Sequence, residues 1–282
     1  ARKWASDTKG EGEHPFVTLV NSFHGRTLTT VTATGQDTFH KFFGPFTPGF
    51  RYVPASDLAA LERQLDAEDC SAVLVEIVQG EGGVRALDAD YLKAVEALCH
   101  EKNVLFCVDE VQTGNGRTGT WFAYEQFGLS PDLVSTAKGL GNGLPIGATL
   151  MGSKTAEVLT PGTHGSTFGG NPVACAGALS VLEQIDDAFL EAVKQKGAWL
   201  TAELEKIPGV KDVSGLGLML GFSVEGCKSA DIKAKALDNG LVVLTAKDRV
   251  RLLPPLAITE EALSDGLLRL AAAIREVQEA AH

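Results

Sequence analysis

Short apolar segments alternate with amphipathic segments along the first half of the chain, and this alternation restricts the fold more than any other feature of the sequence. Ala72–Val78 and Val104–Val108 are almost wholly apolar, which is typical of strands buried on both faces. Amphipathic helices are predicted over Ser56–Ala67, with Ser56 as N-cap, and over Asp88–Lys102, with Asp88 as N-cap. Apolar strands connected by helices indicate an α/β fold with a mostly parallel central sheet covered by helices. Further strands are predicted at Phe16–Asn21, Asp132–Thr136 and Leu144–Met151.

The last third of the chain has a different pattern. Long helical segments are predicted at Val173–Ile185 and Phe189–Ile207, and Pro208 and Gly209 then break the chain. Beyond this break, hairpin strands are predicted within Val210–Val224 and Leu241–Leu253, with helices over Ser229–Asn239 and Glu260–Ala280. A chain of 282 residues is long enough for about two domains. We therefore predict a large domain over residues 1–199 and a small α+β domain over residues 200–282.

Charge and cysteine usage exclude several functional classes. The 25 basic and 36 acidic residues give a net charge of 25 − 36 = −11 without a basic block, which argues against nucleic acid or an anionic membrane as the main partner. The longest uncharged stretch, residues 158–182, is interrupted by Gly and Pro and does not read as a membrane helix. The five cysteines form no C-x-x-C pair, which disfavours a metal site or a disulfide framework and favours the cytoplasm.

Asp109 is the first candidate site residue, since it ends the apolar strand Val104–Val108. Open α/β sheets bind ligands at the carboxyl ends of their strands. A carboxylate at this place is suited to hold a cationic ring nitrogen. The alternative is an aspartate that only begins a turn.

Lys138 is the second candidate, because it follows a short strand and precedes a Gly-rich loop, with no acidic residue within five positions on either side. A lysine becomes nucleophilic where a desolvated pocket lowers its pKa. The alternative is an ordinary surface lysine. The order of residues is wrong for a phosphate-binding P-loop, and no Gly-x-Gly-x-x-Gly opens a helix early in the chain.

Asp109 and Lys138 lie 29 residues apart at the ends of consecutive predicted strands. An aspartate for a pyridinium nitrogen together with a Schiff-base lysine is the pair that pyridoxal phosphate sites need. With these motifs the chain resembles the class III (ornithine-type) pyridoxal-phosphate aminotransferases of fold type I, and most closely their acetylornithine branch. The resemblance implies transfer of the terminal amino group of N-acetylornithine to 2-oxoglutarate, as a step of arginine biosynthesis, by a homodimer with shared active sites.

The same resemblance implies roles for residues around the cofactor ring. Phe23, in the segment Asn21–Thr27, would stack on the ring, although plain core packing is an alternative for this side chain. Val111 would pack on the opposite face. Glu76 would lie near the phenolic oxygen of the cofactor and Gln112, in a segment where Ile77 replaces the more usual proline.

Further implied residues would bind phosphate and substrate. Thr167, with Ser166 beside it, would donate to the cofactor phosphate of the partner subunit, while capping of the helix after Pro172 is the alternative use of these two side chains. Arg26 would bind a substrate carboxylate. Arg251 would bind the α-carboxylate of glutamate and pair with Glu81. Strand parity puts Arg249 on the same side as Arg251, so that only its position before Pro254 and Pro255 selects Arg251.

One departure from the family and several functional alternatives remain. The family's phosphate-binding loop at a helix N-terminus has no counterpart in this sequence, and Ala1–Trp4 resembles the end of that helix. The chain is thus expected to lack a quarter to a third of a family member. The alternatives are another class III activity, on ornithine, succinylornithine or 4-aminobutyrate, a Rossmann-type oxidoreductase, or a fragment that folds without binding cofactor.

Overall fold

The structure is a computed structural model that describes residues 1–280. Its strands are, in chain order, β1 (Phe16–Leu19), β2 (Phe50–Val53), β3 (Ala72–Val75), β4 (Val78–Gln79), β5 (Arg85–Ala86), β6 (Leu105–Asp109), β7 (Leu133–Thr136), β8 (Ala148–Met151), β9 (Val210–Leu216), β10 (Met219–Val224), β11 (Leu244–Ala246) and β12 (Arg249–Leu252). Its α-helices are α1 (Arg2–Lys9), α2 (Leu28–Ala33), α3 (Asp37–His40), α4 (Leu58–Ala67), α5 (Ala89–Glu101), α6 (Pro172–Gln184), α7 (Asp187–Leu204), α8 (Ser229–Asp238) and α9 (Glu260–Ala280). None of the helices in this part of the chain is both long and apolar enough to span a membrane.

The described chain divides into two compact units. The first unit comprises Ala1–Ile77, Leu87–Asn115 and Phe122–Gln184. Its sheet has the order β2-β1-β3-β6-β7-β8, and all neighbouring pairs are parallel except β7 and β8, which are antiparallel. Every residue of β6 is buried, as expected for a central strand covered on both faces. The predicted α/β fold with a mostly parallel central sheet is confirmed.

Two local predictions in the first half of the chain are wrong. Helix α4 is capped by the Asp57 side chain, which accepts a hydrogen bond from the Ala60 amide, whereas Ser56 lies in the left-handed region at φ 63°. The segment Ala72–Val78 is also not one strand, because β3 ends at Val75 and Val78 pairs with Ala86 in a separate two-stranded ladder. The Asp88 cap of α5 is confirmed, since its carboxylate accepts from the Asp90 and Tyr91 amides.

The second unit comprises Val78–Ala86, Gly116–Trp121 and the chain from Ile185 onward. Its antiparallel sheet has the order β11-β12-β10-β9, so the two predicted hairpins are present and β10 pairs with β12 between them. Helices α7, α8 and α9 contribute Leu200, Ile232 and Ile274 to a core shared with this sheet. The division into residues 1–199 and 200–282 stays a prediction, because these units are defined by packing and not by independent folding.

Candidate functional site

The polar residues of the first unit gather where adjacent parallel strands end. Glu76 directly follows β3, Asp109 is the last residue of β6, and Lys138 lies two residues beyond the end of β7. Asp109 stands opposite Ser135 in the β6–β7 register, and Lys138 is the third residue after Ser135. Three residues span at most about 10 Å. The strand order therefore brings Glu76, Asp109 and Lys138 to one edge of the sheet, where open α/β sheets place their binding sites.

Asp109 is paired with His24, a residue that the sequence analysis did not single out. Oδ2 of Asp109 lies 2.8 Å from Nδ1 of His24, and the His24 side chain is only 2% exposed. Oδ1 accepts hydrogen bonds from the Val111 amide at 3.0 Å and from the Ser135 hydroxyl at 3.2 Å. His24 directly follows Phe23 in the sequence, but only the fold brings it to Asp109, which lies 85 positions away.

The environment of this pair favours its charged form. Burial is the largest influence on Asp109 and acts to raise its pKa, but the hydrogen bond and the charge of His24, together with the donors Val111 and Ser135, outweigh burial and lower the pKa. Burial likewise acts to lower the pKa of His24, and the hydrogen bond and charge of Asp109, with the charge of Glu76, raise it. The site thus holds an ionised carboxylate against an imidazole that binds a proton more readily than usual.

Phe23 and Arg26 occupy the loop after β1. The Phe23 amide donates to Oε2 of Glu76 at 2.9 Å, which ties this loop to the end of β3. The Phe23 ring is half-buried and meets Phe39 edge-on, with 5.1 Å between ring centroids. The exposed Arg26 guanidinium lies 4.4 Å from the Phe39 ring centroid and 5.5 Å from that of Phe23. Phe23 is therefore not fully enclosed in the core, and its stacking role stays a prediction.

Lys138 sits in a sharp turn that a second unanticipated residue supports. Its own φ is +47°, which is uncommon for a residue with a side chain. The buried Asn115 donates through Nδ2 to the Ala137 carbonyl at 3.2 Å and to the Thr136 hydroxyl at 2.9 Å. Asn115 thus fixes the backbone directly before Lys138. Lys138 itself is exposed. Val111 and Gln112 lie half-buried in the loop that follows Asp109.

Ser166 and Thr167 lie in an exposed loop between β8 and α6. The Ser166 hydroxyl accepts a hydrogen bond from the Gly169 amide at 3.0 Å. The alternative use of Ser166 or Thr167 as the cap of α6 is wrong, because Asn171 Oδ1 accepts from the Ala174 amide at 2.9 Å and caps that helix. The predicted phosphate role of the two hydroxyls stays a prediction.

The second unit contains the predicted pair of Glu81 and Arg251. Nη1 of Arg251 donates to Oε1 of Glu81 at 2.6 Å, and Arg251 is 7% exposed. Arg249 is also buried, but its Nη2 donates to the Asp212 carbonyl, to the Ser214 hydroxyl and to the Gly221 carbonyl, and no carboxylate of the described residues forms an ion pair with it. The structure thereby separates two arginines that strand parity alone could not tell apart.

Comparison with known proteins gives consistent matches. The sequence profile of class III aminotransferases matches residues 1–274. The acetylornithine aminotransferase of Haemophilus ducreyi is 50% identical over 278 residues, covering 98% of this chain and 71% of that protein. That of Bacillus subtilis is 46% identical over 271 residues, covering 94% and 70%.

Solved structures agree with these relatives. An ornithine aminotransferase from Toxoplasma gondii superposes with a TM-score of 0.91 at 36% identity, covering 99% of this chain and 69% of that one. An N-acetylornithine aminotransferase from Stenotrophomonas maltophilia superposes with a TM-score of 0.84 at 35% identity, covering 99% and 71%. The chain thus spans about seven tenths of the length of the proteins that it matches.

Proposed function

Because this chain belongs to the class III aminotransferases, a family that depends on pyridoxal phosphate, we propose that it moves the terminal amino group of N-acetylornithine to 2-oxoglutarate. The products are N-acetylglutamate semialdehyde and glutamate, which places the reaction in arginine biosynthesis. The observation that carries this proposal is the 42–50% identity to acetylornithine aminotransferases from eight organisms. Membership of the class III aminotransferases argues against the alternative of a Rossmann-type oxidoreductase.

The residues of the first unit fit the cofactor. An ionised carboxylate accepts about four hydrogen bonds, and Asp109 receives three, so one position remains for a protonated ring nitrogen. Nε2 of His24 is buried and has no hydrogen-bond partner among the described residues, which is typical of a site arranged around a further group. Lys138 follows the neighbouring strand end and is an exposed residue. These features argue against the alternative of a fragment that folds without binding cofactor.

Each residue has a distinct task in the proposed mechanism. When bound, pyridoxal phosphate supplies a cationic ring that withdraws electrons from the carbon at which a proton is removed. Asp109 would keep the ring nitrogen of the bound cofactor protonated, and His24 favours the ionised form of Asp109. Lys138 would hold the cofactor through its side-chain amine, and the same amine would take and return the substrate proton as general base and acid.

The remaining predicted residues hold the cofactor in place. We assign Phe23 to one ring face and Val111 to the other, and Glu76 with Gln112 to the phenolic oxygen. Ser166 and Thr167 are assigned to the phosphate bound by a partner subunit. The hydrogen bond from the Phe23 amide to the Glu76 carboxylate supports the assignments of Phe23 and Glu76, because it holds the loop that carries the Phe23 ring against this buried side chain.

Two arginines are assigned to the substrate carboxylates. Arg26 takes the carboxylate of N-acetylornithine, and it takes the side-chain carboxylate of glutamate, whose α-carboxylate goes to Arg251. Glu81 neutralises Arg251 while a substrate with one carboxylate is bound. The 2.6 Å pair of Glu81 and Arg251 supports this assignment, since a buried guanidinium left without a counter-charge is costly.

We further propose a homodimer with shared active sites in the cytoplasm. Phe168 is 82% exposed beside Thr167, and Phe42 is 90% exposed, which favours burial of these side chains against a second copy. The five cysteines, all within the described residues, are free thiols, a state that is typical of proteins in a reducing compartment. Sedimentation velocity tests the homodimer. A single species of twice the chain mass is expected, and a monomer at all concentrations would contradict the homodimer.

A coupled glutamate assay tests the substrate. N-acetylornithine, N-succinylornithine, ornithine and 4-aminobutyrate are compared as donors to 2-oxoglutarate in the presence of pyridoxal phosphate. We expect the highest kcat/KM with N-acetylornithine. A higher value with ornithine would instead favour the activity that the Toxoplasma gondii structure carries.

A further inference from the structure

The Arg249 side chain is a buried cation that forms no ion pair with any carboxylate of the described residues. It is 1% exposed, and its Nη2 donates to the Ser214 hydroxyl at 2.8 Å, to the Gly221 carbonyl at 2.6 Å and to the Asp212 carbonyl. All three acceptors are neutral, and they belong to β9 and β10. Burying a guanidinium is costly unless it is hydrogen-bonded. The Arg249 guanidinium is held by oxygens of β9 and β10, so it connects β12 to both of these strands.

Ser214 extends this connection to the segment that carries Glu81. Its hydroxyl accepts from Arg249 and donates to the Val84 carbonyl at 2.6 Å. The Arg249–Ser214–Val84 chain of hydrogen bonds therefore runs from the sheet to residues 78–86, the segment that contains β4, β5 and Glu81. Val84 itself is held at φ +54°, a conformation that a β-branched residue adopts only when its surroundings impose it.

Two glycines let this segment lie directly on the sheet. A Cβ on Gly221 would stand 2.7 Å from the Val84 Cβ and 3.0 Å from the Gly83 carbonyl oxygen, so only glycine allows the approach. Gly83 has φ +108°, and a Cβ on it would stand 3.1 Å from Cδ of Arg249. The Glu81 carboxylate then reaches Arg251 on the same side of β12 as Arg249.

We propose that Arg249 and Ser214 are positioning residues that set the preference of the enzyme between substrates with one carboxylate and substrates with two. The inference rests on the proposed function, in which Glu81 competes with the α-carboxylate of glutamate for Arg251. Arg249 and Ser214 fix the position of residues 78–86 against the sheet. Only the Glu81 side chain, and not its backbone, then has to move when Arg251 changes partner from Glu81 to the α-carboxylate of glutamate. If this segment is held less firmly, Glu81 pairs less completely with Arg251. Arg251 then binds the second carboxylate of glutamate more readily, and its charge is less well neutralised when N-acetylornithine is bound.

The variant Ser214→Ala tests this proposal, because it removes the hydroxyl from the chain of hydrogen bonds without changing a charge. Ser264→Ala is the matched control, a serine of the same unit that lies on α9. Hydrogen exchange of the Val84 amide, which bonds to the Gly80 carbonyl at 3.2 Å, is measured in the cofactor-free chain. Kinetics give the ratio of kcat/KM for glutamate to kcat/KM for N-acetylornithine.

We expect faster exchange over residues 78–86 in Ser214→Ala only, and a ratio raised roughly three- to tenfold through KM, the effect of about one hydrogen bond. Arg249→Gln, checked for folding by circular dichroism, is expected to change the ratio in the same direction. Unchanged exchange in Ser214→Ala overturns the proposal, and so does faster exchange with an unchanged ratio. A wild-type chain inactive with every donor contradicts the proposed function instead, and the exchange comparison still decides whether Ser214 fixes the segment.

Discussion

Nδ1 of His24 lies 2.8 Å from Oδ2 of Asp109, so the carboxylate assigned to the cofactor ring is itself held by a buried imidazole. The two groups stabilise each other's charge: Asp109 raises the pKa of His24 against burial, and His24 lowers that of Asp109 against burial. The carboxylate is thus kept ionised before any ligand arrives, and this arrangement has a measurable consequence for stability.

The raised pKa of His24 predicts a loss of stability with rising pH. Its ordinary pKa is about 6.5, so the stabilisation is complete below that pH and is lost as pH rises through the higher folded-state pKa. Free energies of urea unfolding of the cofactor-free chain between pH 5.5 and 9 check this. His24→Gln should lose that slope, whereas the exposed His100→Gln should keep it. Parallel curves for wild type and His24→Gln would contradict the ion pair.

Asp109→Asn is expected to reduce kcat by roughly 10²- to 10³-fold, with pyridoxal phosphate still bound. Breaking a buried charged pair costs about 3–5 kcal/mol, and part of that cost would appear in the barrier because the ring nitrogen loses its counter-charge. The exposed Asp187→Asn is the control. A kcat within twofold of wild type would remove Asp109 from its assigned role.

Asn115→Ala is expected to lower the free energy of unfolding by about 2–4 kcal/mol, since it removes the hydrogen bonds from the Asn115 amide to the Thr136 hydroxyl and the Ala137 carbonyl and places alanine at a positive φ. Asn142 also has a positive φ but is exposed, so Asn142→Ala measures the backbone cost alone. Urea titration of both variants gives the difference. Equal losses would show that the hydrogen bonds to Thr136 and Ala137 contribute nothing.

Glu81→Ala is expected to raise KM for N-acetylornithine and to lower KM for glutamate, each roughly three- to tenfold, because Arg251 then stays charged and unpaired. The exposed Glu225→Ala should leave both values unchanged. An unaltered preference between the two donors in Glu81→Ala would count against the assignment of Glu81 and Arg251.

The sequence carries the features of this fold that local patterns encode. The apolar segment before Asp109 indicates a central strand, and Asp88 caps its helix as predicted, because both signals depend on near neighbours. Ser56 and Asp57 are equally good caps by type, and the choice between them depends on the left-handed conformation of Ser56, which the sequence does not reveal.

The missed site residues share a different cause. His24 and Asn115 act on partners 85 and 21–22 positions away, and these distances close only when the strands are in register. Arg249 and Arg251 are equivalent by parity, and the contact with Glu81, 170 positions away, separates them. Sequence patterns thus identify which residue types are suited to the chemistry, whereas the hydrogen bonds that position them belong to the tertiary fold.

Borohydride reduction followed by peptide mapping tests the central claim most directly, namely that Lys138 binds the cofactor at the sheet edge shared with Asp109. The chain is incubated with pyridoxal phosphate, reduced, digested and examined by mass spectrometry. We predict one dominant modified peptide that carries the cofactor mass on Lys138, and its absence in Lys138→Ala but not in the exposed control Lys233→Ala. Modification chiefly at other lysines, or equal modification of wild type and Lys138→Ala, would contradict this account.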